Sequence, residues 1–115
     1  MRQLQIKWVT KGINGYYELN RLNTSNIKAC GVYLIWNKIG VIKVGQSINI
    51  GSRLDDHRND DDIIRYNLTN DPLLTTWANL PLSDLDGVEA YLGDRYQPLI
   101  GNRFPDVQKI FVNLP

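Results

Sequence analysis

The sequence predicts a small α/β fold of the α+β type, in which helices flank a central antiparallel sheet of about three strands. Three observations predict it. Two apolar runs rich in β-branched residues stand close together, which favours a hairpin. Two later segments each follow a residue that caps helices, which predicts two helices. A further apolar run lies between these helices and ends at a proline. In chain order the segments are 31–36, 41–47, 50–59, 72–80 and 83–96.

Length and composition limit the kind of protein. The 115 residues, 43% of them hydrophobic and 22% charged, suit one globular domain, 1–115. The net charge of +1 means that contact with a nucleic acid needs local clusters of Lys and Arg. The single Cys30 and single His57 exclude an internal disulfide and a metal centre of several Cys or His. Because the chain lacks the apolar run of a signal peptide or membrane span, we expect a cytoplasmic protein with no membrane partner.

Short strands are predicted at both ends of the chain. Residues 3–9 alternate between apolar and polar side chains, which predicts the first of them. The turn signal Asn14-Gly15 precedes 16–19, a second short strand. The polar segment 20–30 predicts mostly loop, and 109–114 predicts a final short strand. These segments are expected to extend or brace the central sheet.

The first two apolar runs predict a hairpin with a defined register. A three-residue loop at 38–40, with its final glycine in the left-handed conformation, is a common hairpin closure. This closure pairs Asn37 with Val41. Two steps further from the loop, it pairs Ile35 with Lys43.

That register decides where Tyr33 and Lys43 lie. With the three-residue loop, both side chains lie on one face of the sheet, one diagonal step apart. A loop of two or four residues would send them to opposite faces, because successive side chains of a strand alternate.

The first helix brings two polar residues together. Asn49 can cap a helix that runs from about Ile50 to Asn59. Arg53 and His57 are spaced i, i+4 within it, so they lie on the same side.

The second helix carries an acidic residue among apolar ones. The pattern Ser83-x-x-Asp86 predicts a capping box at its start, and the helix is predicted to end near Tyr96. Glu89 falls within the apolar stripe, next to Val88. A carboxylate on that side is paired, protonated or bound to a metal, unless it reaches solvent from the edge of the stripe.

Each of these polar residues has an ordinary structural explanation when it is taken alone. Arg53 and His57 fit the exposed side of a surface helix, and Lys43 fits the solvent-facing side of a strand. Their chemistry also suits a phosphate: a guanidinium binds phosphate oxygens through a fork of donors, and an imidazole can orient a water or move a proton.

In order and spacing, the residues resemble the GIY-YIG nuclease family. Gly31-Val32-Tyr33 corresponds to the first half of the motif that names the family. Lys43-Val44-Gly45 corresponds to the second half, with lysine in place of tyrosine, as in some branches. The resemblance covers about residues 29–105. The other residues that match the family pattern are Arg53, His57, Glu89 and Asn102.

The resemblance implies an endonuclease that hydrolyses phosphodiester bonds in DNA with one divalent ion, Mg²⁺ or Mn²⁺, bound by Glu89. Arg53 would stabilise the charge on the phosphoryl oxygens. Either Tyr33 or a neutral Lys43 would be the general base, and the sequence leaves both open. His57 would orient the attacking water or contact the scissile phosphate, and the asparagine near the end would brace the site.

Substrate capture would depend on a local basic face, with weak and salt-sensitive binding. The partner would be DNA, with RNA not excluded, and the protein a monomer or weak homodimer. Two alternatives stay open: a nucleic-acid-binding module with little or no catalysis, and an interaction protein with no nucleic-acid role. Besides the catalytic residues, the predicted nucleic-acid contacts are Lys28, Lys38, Arg58, Arg95, Asn102 and Arg103.

Overall fold

The predicted fold class is confirmed. The computed structural model describes residues 3–101 and 104–115, and it contains a four-stranded antiparallel sheet with helices packed on both sides. The strand order is β1-β4-β2-β3, so β3 lies at one edge of the sheet. The strands are β1 (Tyr17–Glu18), β2 (Gly31–Asn37), β3 (Gly40–Ser47) and β4 (Leu74–Asn79), and the α-helices are α1 (Ile50–Arg58), α2 (Asp61–Ile64) and α3 (Leu85–Tyr96).

The sheet has a hydrophobic core on each face. Successive residues of β2 alternate between them, because side chains along a strand point to opposite sides. Val32 packs with Val88 of α3 on one face, whereas Tyr33 packs with Leu54 of α1 on the other. The two helices therefore lie on opposite faces of the sheet.

The register of the β2–β3 hairpin is partly as predicted. Ile35 pairs with Lys43, which confirms this part of the prediction. Tyr33 pairs with Gly45, so Tyr33 and Lys43 do share one face of the sheet. The predicted pairing of Asn37 with Val41 is wrong, since Asn37 pairs with Gly40.

Side-chain hydrogen bonds explain the tighter turn. The Asn37 side chain accepts a hydrogen bond from the Ile39 backbone, and the Asp71 carboxylate accepts one from the Lys38 backbone. Together they hold a two-residue turn. Without a bulge, such a turn would place Tyr33 and Lys43 on opposite faces of the sheet. The register shift skips one residue of β3, Ile42, and this bulge restores the alternation.

Both long helices end close to the predicted positions, but only one begins as predicted. The Asn49 side chain accepts a hydrogen bond from the Ser52 backbone and caps α1, as predicted. The prediction of a capping box for α3 is wrong. The helix begins at Leu85 without a side-chain cap, because Ser83 lies in a preceding 3₁₀ turn and Asp86 bonds to a strand residue instead.

The chain ends pair less than predicted. The segments 3–9 and 109–114 form only isolated bridges, Leu4 with Val112 and Trp8 with Ala78. They are nevertheless anchored, since Trp8 and Val112 are buried in the core shared with α3. Within the described parts of the chain, no helix has the length and apolar character needed to cross a membrane.

Candidate functional site

A buried hydrogen bond joins the tyrosine of β2 to the histidine of α1. Tyr33 is only 1% exposed, and its hydroxyl lies 2.5 Å from Nε2 of His57, which is itself 7% exposed. The phenol lies over Gly45, its partner on β3, where a Cβ atom would overlap the ring. The glycine at this position therefore makes the space that lets Tyr33 reach α1.

Burial shifts the pKa values of both members of this pair. Burial, with a smaller contribution from Glu89, raises the pKa of Tyr33 to about 12 against an opposing effect of the Arg53 guanidinium. Burial, together with the positive charges of Arg53 and Lys43, lowers the pKa of His57 to about 4. At neutral pH the pair is a protonated phenol beside a neutral imidazole. Nε2 of the imidazole accepts a hydrogen bond from the phenol when the ring carries its own proton on Nδ1.

The pKa of His57 predicts a pH dependence of stability. Its ordinary pKa is 6.5 and its folded pKa about 4. Between these values the unfolded chain binds more protons, so the free energy of unfolding should fall as pH drops from about 6.5 to about 4. Urea unfolding of wild type and His57→Gln across this range would measure it. We expect a smaller fall in the variant, and an equal fall in both proteins would contradict the shift.

Arg53 and Lys43 provide positive charge beside this pair. Arg53 is exposed on α1, one turn before His57 and on the same side of the helix. Lys43 is half-buried on β3, and a Cβ atom at Gly101 would lie 2.7 Å from its Nζ. Arg53 is the cation that lowers the pKa of Tyr33, and burial outweighs its effect. Lys43 instead acts on His57 and Glu89.

Glu89 reaches the same region from the opposite face of the sheet. It is half-buried on α3, and burial raises its pKa, whereas a hydrogen bond from Gln46 and the charge of Lys43 lower it. Because β3 is an edge strand, α1 and α3 can approach each other around it. The positive charges of Lys43 and Arg53 both lower the pKa of Glu89.

Two residues of this site were not predicted from the sequence. Gln46 follows Gly45 on β3, and its side-chain amide donates to Asp86 at 2.7 Å and to Glu89 at 3.0 Å. Asp86 and Glu89 are spaced i, i+3 on α3, a spacing that could have placed them on one side of the helix. Gln46 lies on the α3 side of β3, whereas Lys43 lies on the α1 side, so β3 supplies a side chain from each face.

The predicted nucleic-acid contacts are spread around the chain. Arg58 binds within the protein, through the Asp55 carboxylate at 2.8 Å and the Leu22 carbonyl at 2.6 Å. Its donors therefore stabilise the loop before β2 against α1. The other residues predicted for this role are Lys28 (exposed), Lys38 (exposed, in the hairpin turn), Arg95 (exposed, over the Tyr96 ring), and Asn102 and Arg103, which lie outside the described residues.

Glu89 has the chemistry of a ligand for a hard divalent cation. Residues 3–101 and 104–115 contain no group of three or more His, Cys, Asp and Glu suited to a metal. Mg²⁺ and Mn²⁺ suit carboxylate oxygens, and Mg²⁺ keeps several waters and binds phosphate oxygens as well. Among the described residues, Oε1 of Glu89 accepts a hydrogen bond from Gln46, and Oε2 has no hydrogen-bond partner.

The sequence matches no protein-family model, and comparisons with curated proteins and with solved structures give no match either. The resemblance to GIY-YIG nucleases therefore stays a prediction. It depends on the order of the residues along the chain. The structure adds the buried hydrogen bond between Tyr33 and His57.

Proposed function

We propose that this chain is a metal-dependent endonuclease of the GIY-YIG type, which hydrolyses phosphodiester bonds in DNA. One observation carries the proposal: the Tyr33–His57 hydrogen bond is buried, and the charges of Arg53, Lys43 and Glu89 act on the pKa values of its two members. Perturbed pKa values among groups from separate elements are typical of functional sites.

Tyr33 and His57 would handle the proton of the attacking water. A Tyr33 pKa of about 12 makes a free phenolate rare at neutral pH. The phenol oxygen would instead accept the proton of a water while its own proton passes to Nε2 of His57. A bound phosphodiester would assist, because its negative charge opposes Arg53 and Lys43, which now lower the pKa of His57.

The charged residues would bind the phosphate and stabilise the transition state. Arg53 is exposed and can donate two parallel hydrogen bonds to phosphoryl oxygens. Lys43 lies on the neighbouring strand β3 and would add positive charge for the phosphoryl oxygens. Glu89 would hold one Mg²⁺ or Mn²⁺ ion through Oε2. When bound, that ion would supply positive charge for the phosphoryl and leaving-group oxygens.

DNA capture would depend on few charges. The exposed Lys28, Lys38 and Arg95 are available, whereas Arg58 is used within the protein. Binding should therefore be weak and fall steeply with salt. A cytoplasmic, monomeric or weakly dimeric protein remains part of this proposal, and RNA remains a possible substrate.

Arg53→Ala tests the proposed function. Loss of a preorganised donor to the phosphoryl oxygens should lower the cleavage rate by about 10²–10³-fold. The assay is plasmid and single-stranded DNA cleavage in Mg²⁺ and in Mn²⁺. Arg21→Ala is the matched control, since Arg21 is an arginine with an 83% exposed side chain, and it should keep full activity. Full activity in Arg53→Ala, or no cleavage by wild type, would falsify the proposal.

One observation favours the alternative of a binding module. The pKa values of Tyr33, about 12, and of His57, about 4, both oppose proton transfer between them in the free protein. Filter binding in EDTA, compared with cleavage in Mn²⁺, separates the two functions. Salt-sensitive DNA retention that Arg53→Ala weakens, together with no cleavage by wild type, would favour the binding module.

A further inference from the structure

Gln46 connects two structural elements at the candidate site. It lies on β3, and its side-chain nitrogen donates to the carboxylates of Asp86 and Glu89, both on α3. An amide nitrogen has two hydrogens, so one can point to each carboxylate. Two bonds to one helix fix the plane of the amide, and a donor is thereby held toward Glu89.

This bond restricts the carboxylate of Glu89. A free glutamate side chain has several rotatable bonds and samples many positions. The bond from Gln46 reaches Oε1, whereas Oε2 has no hydrogen-bond partner in the parts of the chain that the structure describes. The amide thus occupies one oxygen of Glu89 and leaves the other available as a ligand, as a residue behind a metal ligand would do.

We propose that Gln46 is a positioning residue, which holds Glu89 in the orientation that binds the divalent cation, with Asp86 as the anchor that keeps the Gln46 amide in place. The proposal rests on the proposed nuclease function in one respect only, that Glu89 is the cation ligand. Gln46 itself touches neither the phosphate nor the attacking water in this role.

The test is Gln46→Met, which keeps the length of the side chain and removes its donor. We expect the Mn²⁺ concentration for half-maximal DNA cleavage to rise about 10–100-fold, with the maximal rate recovered at saturating Mn²⁺. A loss of fold would lower the maximal rate instead, so the two effects are separable. Gln5→Met, at an exposed glutamine that bonds only to Gln3 in the described chain, is the matched control and should not change this midpoint.

Mn²⁺ binding can also be measured without DNA. Free Mn²⁺ gives an electron paramagnetic resonance signal, and this signal is lost as added protein binds the ion. Weaker binding by Gln46→Met than by wild type supports the proposal even if wild type cleaves nothing, in which case only the nuclease function fails. Cleavage by wild type with an unchanged Mn²⁺ midpoint in Gln46→Met overturns the positioning role alone. A larger midpoint shift for Asp86→Ala than for Gln46→Met also overturns it, because Asp86 would then govern cation binding. If wild type neither binds Mn²⁺ nor cleaves DNA, both proposals fail.

Discussion

Glu89→Gln is expected to lower the rate of metal-dependent cleavage by at least about 10³-fold, because the several kcal/mol of charge stabilisation that a bound cation supplies would be lost. The amide has the size of the carboxylate but no negative charge. Its oxygen can still accept the hydrogen bond that Gln46 donates to Glu89. The change therefore tests the charge of Glu89 with little change in shape. The measurement is single-turnover cleavage over a range of Mg²⁺ and Mn²⁺ concentrations.

Asp94→Asn is the control for Glu89→Gln. Asp94 is an exposed carboxylate on the same helix, paired with Lys109 at 3.3 Å rather than with the site. Its loss should leave the cleavage rate unchanged. Thermal unfolding should show Glu89→Gln at least as stable as wild type, because the substitution removes a half-buried charge whose pKa burial raises. A folded Glu89→Gln protein with the wild-type rate would remove Glu89 from the mechanism.

The fold was predictable where short-range rules decide it. The start of α1 follows from Asn49. The pairing of Ile35 with Lys43 was predicted from a three-residue loop, but the structure reaches it through a two-residue turn and a bulge. The bulge at Ile42 was not predictable. It depends on a turn in which the Asp71 carboxylate accepts a hydrogen bond from the Lys38 backbone, and these two residues are 33 positions apart.

The site was predictable in the same limited way. The i, i+4 rule places Arg53 and His57 on one side of α1, and the buried Tyr33 lies on the face that packs against it. Gln46 could not be found, because its contact with Glu89 joins a strand and a helix across 43 positions of the sequence. The strand order places β3 at the edge of the sheet, with α1 packed on one face and α3 on the other. A contact of this kind is a property of the tertiary structure and has no local sequence pattern.

The hydroxyl of Tyr33 is the other group on which cleavage should depend strongly. Tyr33→Phe keeps the aromatic ring in the core and removes only the oxygen, and we expect the cleavage rate to fall about 10²–10⁴-fold, the usual contribution of general acid–base catalysis. His57 would lose the partner of its Nε2, so the free energy of unfolding should also fall by about 1–3 kcal/mol. Single-turnover cleavage at saturating Mn²⁺ and urea unfolding measure the two effects.

The effect on the cleavage rate and the effect on stability can be separated, because the phenol hydroxyl is assigned the first and the Tyr33–His57 hydrogen bond the second. His57→Gln also breaks the Tyr33–His57 bond but leaves the phenol in place. If the phenol oxygen takes the proton from water and His57 receives the phenol proton, both variants should cleave slowly even when fully folded at low temperature. Tyr66→Phe removes a hydroxyl whose bond to Arg65 is exposed, and it should change neither rate nor stability. Wild-type cleavage by folded Tyr33→Phe would show that the phenol only fills space, and Lys43 would then be the remaining candidate for the general base.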